Sequence, residues 1–576
     1  EELAKAGLAV ESLDIRRLAL WRGNSQVPIH VESVNNFLGN SGKIYFYALP
    51  FMDAQPDDVY FLMPDSGSMT PARIPVTQIS DASRGVRSPG NIFDSTRSVR
   101  FMKRSNYYHR LPVPTFNDNW FWEEIPRGEY RYYSVNLDGV NPEGGDFTLK
   151  VFLAANHRRM DNYCTVFWNG RQVSAEKWNG LANHAPAFTL TGDQLKPGRN
   201  ELALHVPAES AAAQSPSIYF IGFEIDYKSL LSDNHSLFPF KLEPAGESED
   251  YFTLWFRREK QERIYLLDLT IPESPSVIQT TNEISLERED FNFSASVRRD
   301  RDRNLMLFTW DKAMPVADMR LMKPLRLIAG ESLPGDYLIV SHGRFLEAAK
   351  PLADLHAQRG YQPLIVDVED IYDNFSFGRK DYEALKRFFQ YRYYSAPGPA
   401  LSCALLVGET SDHAGHPALL PPGGQEDLVP TWGHGKPMTI MIHADSQYTQ
   451  ICGSDELPDF MLGRFPVVTT EELAAVIAKT EKYLKSPPLG SWKNAHAFVC
   501  DDEKEFSEIA ESVLVQLPFQ TRLERIYLRY FPYTDLLQIW QRKTSPAARE
   551  KLFKTIEDGV LTVNYFGHGG PNLWSG

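Results

Sequence analysis

Cysteine is scarce in this sequence, and its few cysteines form no metal-binding or disulfide pattern. The 576 residues include Cys164, Cys403, Cys452 and Cys500, and no two of these form a Cys-x-x-Cys pair. A disulfide framework or a structural zinc site requires more numerous and more closely spaced cysteines. We therefore expect neither feature, and we expect all four residues to be buried structural thiols.

Long hydrophobic runs and basic clusters are also missing. No apolar stretch reaches the roughly 18 residues of a membrane-spanning helix, so any membrane association would involve a partner or an anchor outside this chain. The 60 Lys and Arg residues against 74 Asp and Glu give a net charge of −14 at pH 7. This excess of acid argues against general nucleic-acid binding, because neutralising phosphates requires a basic face.

The remaining composition is that of a folded protein with several domains. Hydrophobic residues make up 43% of the chain and charged residues 23%, which are ordinary globular proportions. At about 150 residues per domain, the length predicts three or four domains. The predicted divisions are a β-rich domain at 1–130, a β-sandwich at 131–330, an α/β subdomain at 331–490 and the start of a second α/β subdomain at 491–576.

Period-two patterning up to about residue 330 predicts an all-β region. Phe147, Leu149 and Val151 alternate with polar or small residues, as one face of a strand does. Asn169-Gly170 suits the positive φ angles of a type I′ hairpin turn between two such strands. The spacing of strands and turns favours a sandwich or a jelly-roll-like arrangement.

The tryptophans of this region have two interpretations. Flat aromatic faces stack on sugar rings, whereas large aromatic side chains also fill the cores of sandwiches. We favour the core interpretation and keep sugar binding as a minor hypothesis. The residues concerned are Trp120, Trp122, Trp168 and Trp178.

From about residue 331, predicted strands alternate with amphipathic helices, which indicates a mainly parallel sheet covered on both faces. Pro351 interrupts one helical pattern, so we expect that helix to kink or restart there. Thr469 and Glu472 form a capping box ahead of another helix. Ser545 is the expected N-cap of a third helix, in which we expect Leu552 and Ile556 to face inward.

Two predicted strands of this half end in groups that could support catalysis. One strand leads into Asp501-Asp502-Glu503, and the other into Gly567-His568-Gly569-Gly570. Sites in open α/β sheets gather at the carboxyl ends of strands. His568 at such a position could act as general acid and base.

The neighbours of His568 have candidate roles of their own. Asp502 is our candidate for the carboxylate that orients the imidazole, and the amide of Gly569 is a candidate donor to an oxyanion. A tight turn without any catalytic role explains the glycines equally well. A second Gly-His-Gly, at residues 433–435, follows no predicted strand, and we interpret His434 as a structural or surface residue.

Four segments in order between residues 349 and 574 resemble a known family. They read AKPLADLHAQRGYQPLIVDVEDIYDNFSFGRKDYEALKRFF, ALLVGE, GSDELPDFMLGRFPV and LTVNYFGHGGPNLW. They are similar to the catalytic domain of the gingipain family of cysteine peptidases. The resemblance implies a caspase-like α/β fold and a Cys-His dyad whose histidine falls on His568, with the orienting acid on Asp502.

The same resemblance places the nucleophilic cysteine some tens of residues after the His-Gly motif. Eight residues follow His568, so we expect the nucleophile beyond residue 576 and the α/β domain to be incomplete at the C-terminus. None of the four cysteines present fits the role.

Within the family, the similarity is to sortases of the type IX secretion system, whose N-terminal region resembles GLAVESLDIRRLALW and IYFYALP here. This implies a cysteine endopeptidase and transpeptidase that removes the C-terminal signal domain of secreted cargo and attaches the cargo to anionic lipopolysaccharide. The implied partners are those signal domains, the lipopolysaccharide acceptor and an outer-membrane β-barrel shuttle or attachment-complex protein. The implied location is the cell surface, peripheral to the outer membrane, after export by a signal peptide that this sequence does not contain.

Two alternatives remain open. One is a hydrolytic gingipain-like cysteine protease, and the other is a non-catalytic surface-binding or assembly component on a peptidase-like scaffold. No cofactor is expected. The acidic loop Asp455–Asp459 offers oxygen ligands for a structural calcium ion, but acidic surface clusters usually bind none, and we do not predict a site there.

Overall fold

The structure is a computed structural model of the chain, and its described residues cover most of the sequence. They are 1–49, 58–64, 70–77, 95–103, 105–107, 120–141, 143–155, 161–180, 182–208, 217–229, 237–242, 251–258, 264–279, 281–285, 290–298, 301–322, 335–394, 400–410, 427–434, 442–532, 534–535, 543–570 and 573–574.

The chain divides into two compact units, Glu1–Ala475 and Val476–Gly576. The division falls before the predicted border at residue 490. The predicted border at residue 330 lies outside the described residues, and the four-domain scheme as a whole stays a prediction. Strand Ser95–Met102, from the predicted domain 1–130, lies inside a sheet whose other strands come largely from 131–330.

Two large antiparallel sheets dominate the first unit. Eleven described strands form the larger sheet, along the path Asn183–His184, Phe147–Ala154, Ser217–Ser229, Ser95–Met102, Leu237–Leu242, Arg303–Phe308, Tyr265–Asp268, Ser276–Gln279 and Val76–Thr77, with Glu123–Pro126 and Ala187–Leu190 paired beside it. The pair between Ser276–Gln279 and Val76–Thr77 is the parallel exception. The four-stranded sheet has the order Tyr130–Leu137, Gly198–His205, Asp161–Trp168 and Arg171–Asn179.

Smaller sheets complete the β part of this unit. Three-stranded sheets have the orders Ser25–Val27, Leu18–Arg22, Phe61–Pro64 and Tyr251–Arg258, Asp290–Arg298, Thr281–Ser285. Two-stranded pairs join Ile29–Glu32 with Lys43–Phe46, Asn106–Tyr107 with Trp120–Phe121, and Gly433–His434 with Ile442–His443.

One hydrophobic core contains inward-facing residues of both large sheets. Leu149 and Phe223 of the larger sheet belong to the same buried cluster as Val166 and Leu202 of the smaller sheet. Trp168 is fully buried in it and donates its indole N–H to the carbonyl oxygen of Gln194 at 3.1 Å. Trp178 is buried there and Trp122 packs against it, which confirms the core interpretation for these three tryptophans. The side chain of Trp120 lies outside the described part of the chain.

A parallel sheet follows in the first unit, in the order Pro363–Asp367, Tyr337–Ser341, Cys403–Val407 and Met461–Phe465. The α-helices of this unit are Glu2–Lys5, Lys350–Ala357, Val368–Phe375 and Tyr382–Tyr394, and helix Thr470–Lys485 crosses the division between the units. Short 3₁₀ helices lie at Val10–Ser12, Ile15–Arg17, Gly192–Gln194, Trp310–Lys312, Gly343–Phe345 and Asp445–Tyr448.

The second unit contains a three-stranded parallel sheet with helices on both faces. Its order is Arg522–Tyr527, Ala495–Cys500 and Thr562–Phe566. Helix Lys504–Leu514 packs on one face through Ala510 and Leu514, and helix Pro546–Glu557 packs on the other through Ala548. The remaining elements are the 3₁₀ helices Ser491–Asn494 and Leu528–Tyr530 and the pairs Thr534–Asp535 with Lys543–Thr544 and Gly569–Gly570 with Leu573–Trp574.

Most local signals are confirmed. Asn169 and Gly170 both have positive φ, at 49° and 81°, as a type I′ turn requires. Glu472 N–H donates to Thr469 Oγ1 at 3.2 Å, and Thr469 N–H donates to Glu472 Oε2 at 3.3 Å, so the capping box forms. A new helix starts at Lys350, which places Pro351 in a first turn, where its missing N–H costs nothing.

The prediction that Ile556 faces inward is wrong. Ser545 caps its helix through the amide of Ala548 at 3.2 Å, but Ile556 is 49% exposed. The buried positions of this helix are Ala548 and Thr555. Leu552 packs against the same cluster as Ala548, as expected. Thr555 follows Leu552 by three residues and takes the inward position that was expected for Ile556.

The shared core of the two large sheets predicts a large effect of one substitution. Trp168→Ala should destabilise the protein by about 3–5 kcal/mol, because it removes a fully buried indole and its hydrogen bond. Tyr132→Ala is the matched control, since Tyr132 is 62% exposed and should change stability by less than about 0.5 kcal/mol. Thermal melting followed by circular dichroism measures both, and equal melting temperatures for the two variants would contradict this account of the core.

Candidate active site

The register of the second unit's sheet brings two chain segments to the same edge. Strands Ala495–Cys500 and Thr562–Phe566 run parallel, and Cys500 pairs with Phe566. The residues that follow, Asp501 and Gly567, therefore leave the sheet side by side. The backbone N–H of Asp501 donates to the carbonyl oxygen of Phe566 at 3.0 Å, which extends the ladder by one bond.

A carboxylate and an imidazole meet at this edge. Asp501 Oδ2 accepts the backbone N–H of His568 at 3.1 Å and lies 3.2 Å from His568 Nδ1. Since a carboxylate only accepts hydrogen bonds, this contact fixes the proton on Nδ1 and leaves Nε2 for chemistry. The side chain of Asp501 is 6% exposed and that of His568 is 70% exposed, so the acid is held inside and the ring faces solvent.

The structure makes this contact with Asp501, one residue before the predicted Asp502. The amide of Asp502 donates to Asp501 Oδ1 at 2.8 Å, so Asp502 supports the neighbouring carboxylate through its backbone. Asp501 takes the position because it directly follows Cys500, just as Gly567 directly follows the paired Phe566. A register argument based on these two strand ends would have selected Asp501 from the sequence.

Three further side chains surround His568 to which the sequence analysis assigned no individual role. Glu503 Oε2 lies 3.4 Å from Nδ1. The ring of Phe506 meets the imidazole edge to face, with centroids 5.3 Å apart. The hydroxyl of Tyr565 donates to the carbonyl oxygen of His568 at 2.5 Å. All three lie within a few residues of the strand ends, which is the signal that could have found them.

Glycine is required at position 567 by close packing. A Cβ on Gly567 would lie 2.6 Å from Asp501 Cβ and 2.5 Å from the hydroxyl oxygen of Tyr565. The Asp501 Cβ is fixed to the backbone and cannot move aside. The glycine thus allows the two strand ends to approach closely enough for the contact between Asp501 and His568.

Gly569 is the glycine whose amide is the candidate donor to an oxyanion. Gly569 is exposed and starts the short strand Gly569–Gly570, where it pairs with Trp574. Trp574 in turn stacks on Tyr565 with centroids 4.8 Å apart. A role for the Gly569 amide as an oxyanion donor stays a prediction.

The other histidine motif lies elsewhere in the fold. The backbone of Gly433–His434 pairs with Ile442–His443 in a short antiparallel ladder, although no strand was expected there. Gly435 and the side chain of His434 lie outside the described part of the chain.

The four cysteines differ in exposure. Cys164, Cys403 and Cys500 are buried, as expected, but Cys452 is exposed, which corrects the prediction for that residue. Asp459 stabilises the loop that contains Cys452, because its Oδ2 accepts hydrogen bonds from the backbone amides of Ile451 at 2.8 Å and Cys452 at 2.7 Å.

Cys500 is the one cysteine of the second unit, and its surroundings oppose nucleophilic chemistry. Its thiol is buried, and burial raises its pKa to about 11, with a further contribution from the charge of Glu511. Because the thiolate is the attacking species, a thiol with this pKa is inert near neutral pH.

Metal-binding clusters are not found in the described ranges, where no group of three or more His, Cys, Asp or Glu side chains could hold an ion. In the acidic loop Asp455–Asp459, Asp459 accepts two backbone amides and Asp455 accepts the amide of Leu457 at 3.0 Å. These carboxylates stabilise the loop. Among the helices of the described part, none has the length and apolar character of a membrane span.

Residues 331–576 match the model of Peptidase family C25. The match begins near the first parallel strand and includes Asp501 and His568. It covers less than half of the chain, and the C25 assignment therefore applies to this region.

Curated relatives share a low sequence identity with this chain. Gingipain R1 of Porphyromonas gingivalis is 23% identical over 244 residues, which cover 42% of this chain and 21% of that protein. Gingipain R2 of the same organism is 23% identical over 240 residues, covering 42% of this chain and 28% of that protein. The chain thus spans less than a third of either relative.

A solved structure resembles most of the chain. The crystal structure of dimeric latent PorU from Porphyromonas gingivalis matches with a TM-score of 0.51 and 14% sequence identity. The match covers 84% of this chain and 48% of PorU. At this identity the likeness concerns the fold, and it extends through the β-rich part as well as the C25 region.

The cysteine environments predict selective reactivity. Cys452 should react with a thiol reagent such as DTNB in the native protein, whereas the other three should react only after unfolding, because burial raises their pKa values. We expect about one fast thiol per chain at neutral pH. Cys452→Ser should remove it, and a fast phase that persisted in this variant would contradict the exposures described.

Proposed function

We propose that the chain carries the histidine and carboxylate of a cysteine peptidase that acts as a type IX secretion sortase. The observation that carries the proposal is the contact between Asp501 and His568 at the carboxyl ends of two neighbouring parallel strands. The Peptidase C25 match and the PorU-like fold support it. In this proposal the facing sheets of the first unit form a β-sandwich and the C25 region has a caspase-like fold.

His568 would move protons through Nε2. In the first step Nε2, which the contact with Asp501 leaves unprotonated, takes the proton of the thiol. The thiolate then attacks the carbonyl carbon of the cleaved peptide bond and a C–S bond forms. The C–N bond breaks as the imidazolium gives this proton from Nε2 to the leaving amine. Asp501 accepts the hydrogen bond from Nδ1 throughout and stabilises the imidazolium. The thiol is assigned to a cysteine after residue 576, following the order of the family.

The thioester has two possible fates. An amine nucleophile gives its proton to Nε2 and attacks the acyl carbon, so the C–S bond breaks and a new amide forms. Water in the same position yields a free acid. The proposed cargo is a secreted protein whose C-terminal signal domain is removed, and the proposed acceptor is anionic lipopolysaccharide at the cell surface, with an outer-membrane β-barrel protein as docking partner.

The roles of Asp501 and His568 predict unequal effects of adjacent substitutions. In the full-length protein, His568→Ala and Asp501→Asn should each reduce cleavage of a cargo that carries its C-terminal signal domain by about 10²- to 10⁴-fold. Asp502→Asn is the matched control and should stay within about threefold of the parent, since its amide rather than its carboxylate supports Asp501. Gel-based cleavage rates measure all three.

Thermal melting of these variants separates folding from chemistry. We expect Asp501→Asn to remain folded, because the amide side chain keeps an oxygen acceptor for the His568 backbone. If Asp502→Asn lost activity while Asp501→Asn kept it, the assignment of the orienting acid would be overturned. Full activity in a folded His568→Ala variant would refute the catalytic role of His568. The alternative of a non-catalytic component on a peptidase-like scaffold would then be favoured.

The fate of the thioester separates sortase from protease. Incubating the full-length protein with cargo and dansyl cadaverine should give a cargo product whose mass includes the dansyl amine, because the amine captures the acyl group. A product population that consists of free acid alone, at every amine concentration, would favour the hydrolytic gingipain-like alternative and rule out the transpeptidase claim.

A further inference from the structure

A groove of about 830 Å³ lies within the Glu1–Ala475 unit, whereas Asp501 and His568 belong to the Val476–Gly576 unit. Its walls include strand Ser25–Val27, Tyr47, Glu273 and the turn Ser376–Phe377. We call it the edge groove. Its volume is within the range of about 300–1,000 Å³ typical of ligand sites.

One wall of the edge groove is a strand edge that pairs with no other strand among the described residues. Ser25–Val27 lies at the end of its sheet and pairs on one side with Leu18–Arg22. Arg22 and Ser25 flank a two-residue hairpin loop and so form a hydrogen-bonded pair, which turns the N–H and C=O of the next residue, Gln26, away from its partner strand. Among the described residues, no backbone hydrogen bond from a loop, turn or cap involves these two groups of Gln26.

The lining of the groove also includes a strained aromatic residue. Phe377 has φ +55°, a left-handed conformation that is uncommon for a bulky side chain, and it is 44% exposed. The hydroxyl of Ser376 lies within hydrogen-bond distance of the carbonyl oxygens of Tyr372 and Arg379 and holds the turn by donating its one proton to this pair. Gly378 packs against Val59, where a Cβ would approach Val59 Cγ1 to 2.6 Å. These contacts of Ser376 and Gly378 stabilise the strained turn, and the ring of Phe377 lines the groove.

The charges of the groove are mostly paired internally. Arg22 pairs with Asp58 at 2.9 Å, and Arg387 pairs with Asp381 at 2.8 Å. Glu273 lines the groove, is exposed and has no ion-pair partner in the described ranges. A bound segment with a Lys or Arg side chain would complement it.

We propose that the edge groove binds an extended peptide segment that adds a strand to Ser25–Val27. The backbone of the peptide would bond to the N–H and C=O of Gln26, as in β-strand addition to a sheet edge. An aromatic or aliphatic side chain would pack on Phe377 and Tyr47, and a basic side chain would face Glu273. This proposal does not depend on any catalytic role of His568, because every residue that it uses lies between positions 1 and 475.

The test uses the 576-residue chain and an array of immobilised heptapeptides of alternating Val and Thr, which vary in whether they carry one Phe and one Lys. Peptides with both residues should bind, and N-methylation of their backbone amides should remove binding. Gln26→Pro should weaken binding about five- to tenfold, because one main-chain hydrogen bond is lost. An edge strand tolerates proline where its N–H faces outward.

Gln26→Ala is the matched control, since it loses the side-chain bond to the amide of Ala72 but keeps the main-chain N–H. It should bind peptides like the parent. Phe377→Gly should bind more weakly yet melt no lower than the parent, because glycine relieves the positive φ. These results would support the proposal.

Three results would overturn it. They are the absence of any bound peptide, equal loss of binding in Gln26→Pro and Gln26→Ala, and parent-like binding in Phe377→Gly. A further contrary outcome is a change in oligomeric state of Gln26→Pro, seen by light scattering without peptide binding, since the occupant would then be a second copy of the chain.

Discussion

The candidate site depends on the parallel pairing of two short strands whose ends differ in chemistry. Cys500 and Phe566 are partners in the ladder, so the next residues on each chain are forced together. Glycine at 567 leaves room for Asp501, and Asp501 then holds both the backbone and the ring of His568. A residue with a side chain at 567 would push the strand ends apart and separate the acid from the imidazole.

Burial of Asp501 explains why its hydrogen bonds matter. An ionised carboxylate in a protein interior is costly unless its oxygens accept hydrogen bonds. Asp501 accepts from the amide of Asp502 and from the amide and ring of His568. These three donors therefore fix the position of Asp501. Asp501 in turn holds the Nδ1 side of the exposed imidazole, while Nε2 remains accessible to a substrate. Two helices packed on opposite faces of the sheet support the strands that deliver these residues.

Local sequence signals predicted much of the fold because they act over a few residues. The turn at Asn169-Gly170, the capping box of Thr469 and Glu472 and the helix restart at Pro351 each depend on neighbouring backbone geometry. Predictions that depended on long-range register were less accurate. Asp502 was selected because it is acidic and follows a strand, whereas the pairing of Cys500 with Phe566 favours Asp501.

Other features had no local signal at all. Asp459, seven residues away, accepts a hydrogen bond from the backbone amide of Cys452. This bond fixes the loop in a conformation in which the Cys452 thiol is exposed to solvent. The edge groove combines residues from near position 25, near 273 and near 377, and no periodic pattern connects such distant segments. Sequence similarity indicated a gingipain-like region from about residue 331 onward, but the side-chain geometry had to come from the structure.

The most direct test of the central claim is the tautomer of His568 in the folded chain. Protein labelled with ¹⁵N-histidine and compared with His568→Ala would identify the ring signals of this residue by NMR. The account predicts a neutral ring with the proton on Nδ1, facing Asp501, and a bare Nε2. A neutral ring protonated on Nε2 would contradict it, since Asp501 would then not be accepting a hydrogen bond from the imidazole.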